Sequence, residues 1–429
     1  MTTEETMNIN ERYKYLRIMQ LRYLTAGRAE QGRLLDEMEK ITGLGRKSLL
    51  RLLHGALERQ PRRQERHPTY GAEVTAALAV IAESLDYVCA ERLTPNLLWT
   101  AQHLEAHGEL QLSEELQQLL GQISISSVQR RLATLPRESP RLHRKGRPVG
   151  PALTRDIPML RMPWAEAEPG HFEIDLVHHC GPSASGDYVY TLQWIDVATG
   201  WSERVAVLGR GYRVMEDAFL HILRRLPFPV RELHPDNGSE FFNAHMLRFF
   251  GDKVHGARVS RSRPYHKNDN RFVEQKNSSL VRDYLGYDRL DTVTQTLALN
   301  QLYDQMWVYY HLFQPVLHLV AKEVVPATAE QPAKLRRHHD AARTPFDRLC
   351  ATGTLDAPRQ EQLERLRDRT NPRRLRQVIY DQIEHVLSLP GAVPGQPEDV
   401  GLTLGVYTIS WDDDSSPVTL SIGEQVPVR

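Results

Sequence analysis

Three acidic residues occupy positions where their side chains could do joint chemistry. Asp175 lies in EIDLV, where the alternation of Phe172, Ile174 and Leu176 predicts a strand. Asp236 lies where a short strand runs into the turn PDNGSEF, and Glu274 falls in the first turn of a helix in RFVEQKN. Between Asp175 and Asp236 there are 60 residues, and between Asp236 and Glu274 there are 37. Carboxylates brought from separate elements to one end of a sheet suit hard cations such as Mg²⁺ or Mn²⁺. Two such ions about 3.5–4 Å apart stabilise both the attacking and the leaving oxygen in phosphoryl transfer, and binding them relieves the repulsion among the acids. Each acid also has a plainer reading. An Asp before Asn-Gly is a common turn arrangement, and a lone helix Glu is usually a solvated charge. Asp175 is harder to set aside, because an unpaired carboxylate among apolar neighbours is costly.

The elements that must position these acids read as a mixed α/β array. HFEIDLVHHC (171–180), DYVYTLQWIDVATGW (187–201) and SERVAVLG (202–209) predict three strands, with a turn at Thr199–Gly200. Then follow a helix from about Met215 to Leu226, a strand ending at His234, a helix near 240–250, a strand near 257–260 and a helix over 271–285. Such an order is compatible with a mixed sheet flanked by helices. Glu173 shares the parity of Asp175 along the strand, which makes it a neighbour of that site, while Asp196 reads as structural. His178, His179 and Cys180 have no second cluster at zinc-ligand spacing, so zinc is not expected.

The succession of Asp175, HPDNGSEFFN and SRPYHKNDNRFVEQKN closely resembles the catalytic core of bacterial insertion-sequence transposases and retroviral-type integrases. The resemblance spans roughly residues 165–320 and includes YYHLFQP (309–315). It implies an RNase H-like core in which Asp175, Asp236 and Glu274 hold two Mg²⁺ or Mn²⁺ ions. It further implies nicking at transposon ends, attack of the freed 3′-hydroxyl on target DNA, and a homo-oligomer assembled on paired ends. Asn237 and Gly238 would make the turn presenting Asp236, since both tolerate left-handed backbone angles. Arg261, Arg263 and Lys267 would lie beside DNA ends, and Lys276 and Asn277 would face DNA. Many relatives carry a basic residue seven positions after the glutamate; here that position is Val281, leaving Arg282 or Lys276 to make the contact.

The remaining chain divides by composition. Residues 10–58 read as a helix-turn-helix DNA-binding unit, with Gly43 and Gly45 at the turn and Arg46, Lys47, Ser48 and Arg51 facing outward. Residues 70–135 read as a second helical unit, with Arg130 and Arg131 as DNA contacts. A proline- and arginine-rich linker (136–164), in which Arg144 and Lys145 could follow a DNA backbone, precedes the core at 165–290. A helical region (291–390) and a β-rich or extended tail (391–429) follow. The totals of 54 basic and 54 acidic residues cancel, but seven basic residues against one acid between Arg130 and Arg147 leave a local stripe suited to phosphates.

Cys89, Cys180 and Cys350 are too few and too scattered for a disulfide framework, and no P-loop run is present. With no secretion-signal pattern and no long apolar run, the expected setting is the cytoplasm, on nucleoid DNA. An accessory protein is a possible further partner. Two rival readings stay open at this point: a transposase-derived DNA-binding regulator without catalysis, and a nuclease of the same fold that cuts without joining.

Overall fold

The computed structural model describes residues 7–57, 70–135, 168–235, 241, 244–254, 256–260, 271–325 and 334–405. The chain divides into two units, Met1–Thr69 and Tyr70–Arg429.

The described residues of the first unit form three helices, α1 (Ile9–Thr25), α2 (Arg28–Thr42) and α3 (Arg46–Leu53). Asn8 starts α1 through a reciprocal capping box with Glu11, which satisfies backbone donors the helix cannot pair itself. Gly43, at φ +68°, ends α2 in the left-handed conformation and lets the chain turn within three residues into α3. Leu16, Met19, Leu34, Met38, Leu49 and Leu53 recur at helical spacing and close a separate apolar core. Arg46, Lys47 and Arg51 are exposed on α3, as the sequence predicts, whereas Ser48 is half-buried.

The second unit is built on a five-stranded sheet of β1 (His171–His178), β2 (Val189–Asp196), β3 (Ser202–Leu208), β4 (Glu232–Pro235) and β5 (Arg258–Val259), in the order β3-β2-β1-β4-β5. The first three strands are antiparallel neighbours, and β4 and β5 run parallel to β1. The mixed sheet flanked by helices expected from the sequence is therefore present. Phe172, Ile174, Leu192, Trp194 and Val205 are buried on one face of the sheet, and Glu173, Thr191, Gln193 and Arg204 are buried on the other. Before β1, Gly170 adopts φ +115°, and a Cβ there would lie 2.6 Å from the Pro229 carbonyl oxygen. That oxygen belongs to the segment leading into β4, and the Gly170 carbonyl accepts from the amides of Arg231 and Glu232. Gly170→Ala is expected to destabilise the fold by more than about 1 kcal/mol, since the backbone conformation and the space are both wrong for a side chain. A thermal melt within about 1 °C of wild type would contradict this.

Helices α4 (Ala72–Ser84), α5 (Ala90–Leu93), α6 (Leu97–Ala106), α7 (Glu114–Gln122) and α8 (Ile125–Leu132) precede the sheet. Interleaved with the strands are α9 (Tyr212–Arg225), α10 (Ala244–Lys253) and the continuous run α11 (Arg271–Lys276), a π turn (Asn277–Arg282) and α12 (Asp283–Leu285). Beyond it, α13 (Val293–Phe313) is buried on nearly every side along its second half. It packs on β3 and against α16 (Pro372–Ser388), which follows α14 (Pro345–Thr352) and α15 (Ala357–Arg369).

Residues from 70–135, 165–290 and 291–390 contribute to one apolar core. Polar ties reinforce it. The Tyr309 hydroxyl donates to the Ser84 carbonyl at 2.8 Å, and Arg373 bridges Glu83 and Glu109. The region 291–390 is mostly helical, as expected, and adds an antiparallel ribbon of β6 (Leu319–Val325) and β7 (Lys334–His339) that the sequence reading did not include. Those short β-branched and basic runs are outweighed in the sequence by the helices on either side. The linker 136–164 and tail residues 406–429 lie outside the described residues.

Candidate active site

Asp175 occupies the middle of β1 and is half-buried, paired across the sheet with Gln193 of β2. On the parallel side Ile174 pairs with Pro235, the last residue of β4. Asp236, Asn237 and Gly238 follow Pro235 in the sequence and lie outside the described residues, as do Arg144, Lys145, Arg261, Arg263 and Lys267.

Helix α11 runs beside β1 and carries Glu274, exposed, in its first turn. Three hydrogen bonds join helix and strand. Fully buried Glu173 accepts, through Oε2, from the backbone amides of Phe272 (2.8 Å) and Val273 (2.9 Å). These are among the amides that a helix start leaves without intrahelical partners. One turn further on, the Asn277 side-chain amide donates to Asp175 Oδ2 at 2.7 Å. The other oxygen, Oδ1, accepts from the Leu176 amide at 2.8 Å. Sequence parity picked out Glu173 as a neighbour of Asp175; that it holds the helix bearing Glu274 depends on a contact across about a hundred residues.

Among the described residues no group of three His, Cys, Asp or Glu side chains converges closely enough to hold a metal ion. The donors near β1 nevertheless suit a hard divalent cation: two carboxylates, Asp175 and Glu274, on facing elements. Asn277 Oδ1 is also buried beside Asp175 without a hydrogen-bond partner among the described residues. Such an acceptor costs free energy unless something entering the site donates to it.

Several residues expected to face DNA are placed otherwise. Lys276 turns inward. It is half-buried, with its ammonium 4.9 Å from the Tyr310 ring centroid, and burial with Arg92, Arg204 and Arg348 nearby pulls its pKa down to about 7. The cause is angular: two positions after Glu274 is the far side of the helix, facing α13. Asn277, rather than facing outward, is committed to Asp175. Arg131 is tied to the Thr75 hydroxyl (2.6 Å) and the Tyr70 carbonyl (2.5 Å), fastening α8 to α4. Arg130 remains exposed and hydrogen-bonds within its own helix to Ser126 and Ser127. Arg46 pairs on the surface with Asp36 at 3.1 Å.

The position seven after Glu274, Val281, is fully buried. The π turn over Asn277–Arg282 explains this, since a π turn carries about one residue more than an α turn. The angular place that position seven would take in a regular helix therefore falls to Arg282 at eight. Arg282 is partly exposed, stacks 4.6 Å over Tyr287 and donates to the carbonyls of His178 (2.5 Å) and Gly286 (3.1 Å).

Asp196 builds the turn between β2 and β3, accepting from the Gly170 amide and from the amide and hydroxyl of Thr199. His179 is buried against the Thr191 hydroxyl at 2.8 Å, and desolvation pushes its pKa down to about 3. An unfolded histidine titrates near 6.5, so below that pH the unfolded chain takes up a proton the folded chain refuses. The stability associated with neutral His179 is therefore present above pH 6.5 and lost as pH falls towards 3. From this group alone the loss at pH 5 is about 2 kcal/mol. In His179→Gln the fall in unfolding free energy between pH 7.5 and 5 is expected to shrink by about that amount. An unchanged pH slope in urea titrations would contradict it.

No protein-family model matches the chain. The uncharacterized protein y4rM of Sinorhizobium fredii is 35% identical over 319 residues, covering 74% of this chain and 89% of that protein. The chain belongs to the y4rM family. Among solved structures, this y4rM-family chain is similar to the catalytic core domain of BIV integrase, at 13% identity and a TM-score of 0.28. That match covers 43% of this chain and 95% of the other. It is also similar to a chain of the simian T-cell lymphotropic virus intasome in complex with PP2A regulatory subunit B56 gamma. Here the identity is 15% and the TM-score 0.25, over 41% of this chain and 57% of the other. No described helix of the family member is long and apolar enough to cross a membrane.

Proposed function

We propose that the protein is a DNA transposase with an RNase H-like, integrase-type catalytic core. It would cleave transposon ends and join them to target DNA by metal-dependent phosphoryl transfer. One observation carries the reading. Asp175, the strand end at Pro235 that directly precedes Asp236, and the helix carrying Glu274 all meet at one part of the sheet.

Asp175, Asp236 and Glu274 would hold the divalent ions, Mg²⁺ or Mn²⁺. When bound, that pair lowers the cost of charge on the attacking and leaving oxygens. The chain's own part is to place the carboxylates and to bind DNA. Arg282, held by carbonyls at the end of β1 and after α12, presents a cation near the DNA path. The exposed Arg46, Lys47 and Arg51 on α3 suit contact with an element end, as a second helix following a tight turn can enter a major groove. Arg130 is the exposed cation of α8, and Arg144, Lys145, Arg261, Arg263 and Lys267 supply further positive charge to the same DNA. Asn237 and Gly238 are assigned to presenting Asp236. The working form is a homo-oligomer on paired DNA ends in the bacterial nucleoid, with an accessory protein as a possible further partner.

The test is strand transfer by purified full-length protein on a labelled end of its own element, with Mg²⁺ or Mn²⁺ and any flanking-gene partner supplied. Joined products are expected. Specific end binding with no metal-dependent cutting or joining would instead identify a regulator, and cutting without joining a nuclease.

A further inference from the structure

We propose that Glu173 and Asn277 form a two-point clamp between β1 and α11 that sets the spacing of Asp175 and Glu274 and thereby the affinity for a divalent cation. The clamp rests on the reading of those two acids as metal ligands.

Its first point is Glu173, whose buried carboxylate accepts from the amides of Phe272 and Val273, the two residues immediately before Glu274. A helix start is ordinarily capped by a nearby Ser, Thr, Asp or Asn. Here the cap is a carboxylate side chain from a distant strand, whose burial is costly and is offset by the two amides it meets at the positive end of the helix. A local cap would order the helix equally well; this one also ties it to β1.

The second point is Asn277, which donates to Asp175 Oδ2 at 2.7 Å. Glu274 and Asn277 are three apart and share a helix face. The two points therefore bracket Glu274, one just before it and one a turn after it. Both start from alternate residues on the same side of β1.

The spacings agree. Two strand residues advance about 6.6 Å, and the four helical steps from Val273 to Asn277 advance about 6 Å. Strand and helix run in the same direction here, since Glu173 meets the earlier residues and Asp175 the later one. All three bonds can thus form together, and strand and helix cannot slide past one another without breaking at least one. Glu173 and Asn277 are positioning residues that act through the two acids.

The experiment uses full-length protein with Asn277→Ala, Glu173→Gln, Glu173→Leu and, as reference, Asp175→Asn. Mn²⁺ binding is measured by calorimetric titration, and backbone exchange at Phe272 and Val273 by hydrogen–deuterium exchange. Asn277→Ala and Glu173→Leu are expected to weaken Mn²⁺ binding by about 10–100-fold, the usual cost of losing a group that orients a ligand. Glu173→Gln, which keeps a neutral acceptor, should fall between them and wild type. Exchange at the two amides should rise in the Glu173 variants before any metal is added.

If Asp175→Asn loses Mn²⁺ while Asn277→Ala and Glu173→Gln bind it as wild type does, the clamp is overturned and the metal-ligand assignment stands. If Asp175→Asn binds Mn²⁺ as wild type does, both fall. Should Glu173→Leu fail to fold, Asn277→Ala and the milder Glu173→Gln still decide the matter.

Discussion

Asp175→Asn, Asp236→Asn and Glu274→Gln are each expected to lower metal-dependent cleavage and joining of DNA by at least about 10³-fold, the scale for groups that act mainly in the transition state. An amide keeps the size of the carboxylate but not its charge, and a hard cation bound through few protein ligands loses much of its attraction when one becomes neutral. DNA-end binding should stay within about threefold of wild type, because most of that affinity comes from basic side chains on phosphates. In Asp175→Asn the Asn277 side chain can rotate its carbonyl towards the new amide, so the helix can stay docked. Single-turnover cleavage and gel-shift binding on the same DNA would check this. Full activity in any one variant would remove that residue from the metal site, while loss of binding in step with activity would point to misfolding.

The largest expected stability effect lies behind the sheet. Glu203 of β3 is fully buried and accepts from the indoles of Trp201 and Trp307, both at 2.8 Å, and from Arg225 Nε at 2.5 Å. Arg225 is equally buried and also donates to Asp304 and to the Arg204 carbonyl. Glu203→Ala would strand two indole donors and remove one counter-charge from a buried guanidinium. Breaking one side of such a pair costs about 3–5 kcal/mol. That is a large part of the 5–15 kcal/mol typical of a folded domain. Urea unfolding should show the loss directly. Glu203→Gln, which can still accept from the indoles, is expected to lose less, and replacing Glu203 and Arg225 together by methionine less than Glu203→Ala alone. A loss under about 1 kcal/mol in Glu203→Ala would mean that the network contributes little.

Local chemistry made much of the core legible. The alternation around Asp175, the Thr199–Gly200 turn and the helical spacing of 271–285 each report which side of an element is buried, and burial is imposed residue by residue. For that reason the strand–helix order of the sheet, the helix α9 and the glycine turn between α2 and α3 follow from short windows of sequence.

What fills a buried face depends on partners far away in the chain. No local pattern ties Glu173 to Val273, Arg131 to Tyr70, or Tyr309 to Ser84, yet these bonds fasten α11 to β1, α8 to the residue leading into α4, and α13 to the end of α4. The placing of Lys276 and Arg282 went the same way. The family resemblance implies a basic residue seven positions after Glu274, where this sequence has Val281, and only the folded helix contains the π turn that sends Val281 inward and gives that place to Arg282. By itself the sequence singled out Asp175, Asp236 and Glu274 as candidates to bind a cation and predicted the strand of Asp175 and the helix of Glu274. The tertiary structure decided which side chains hold those elements at a fixed spacing, because hydrogen bonds between distant segments form only once the segments have packed.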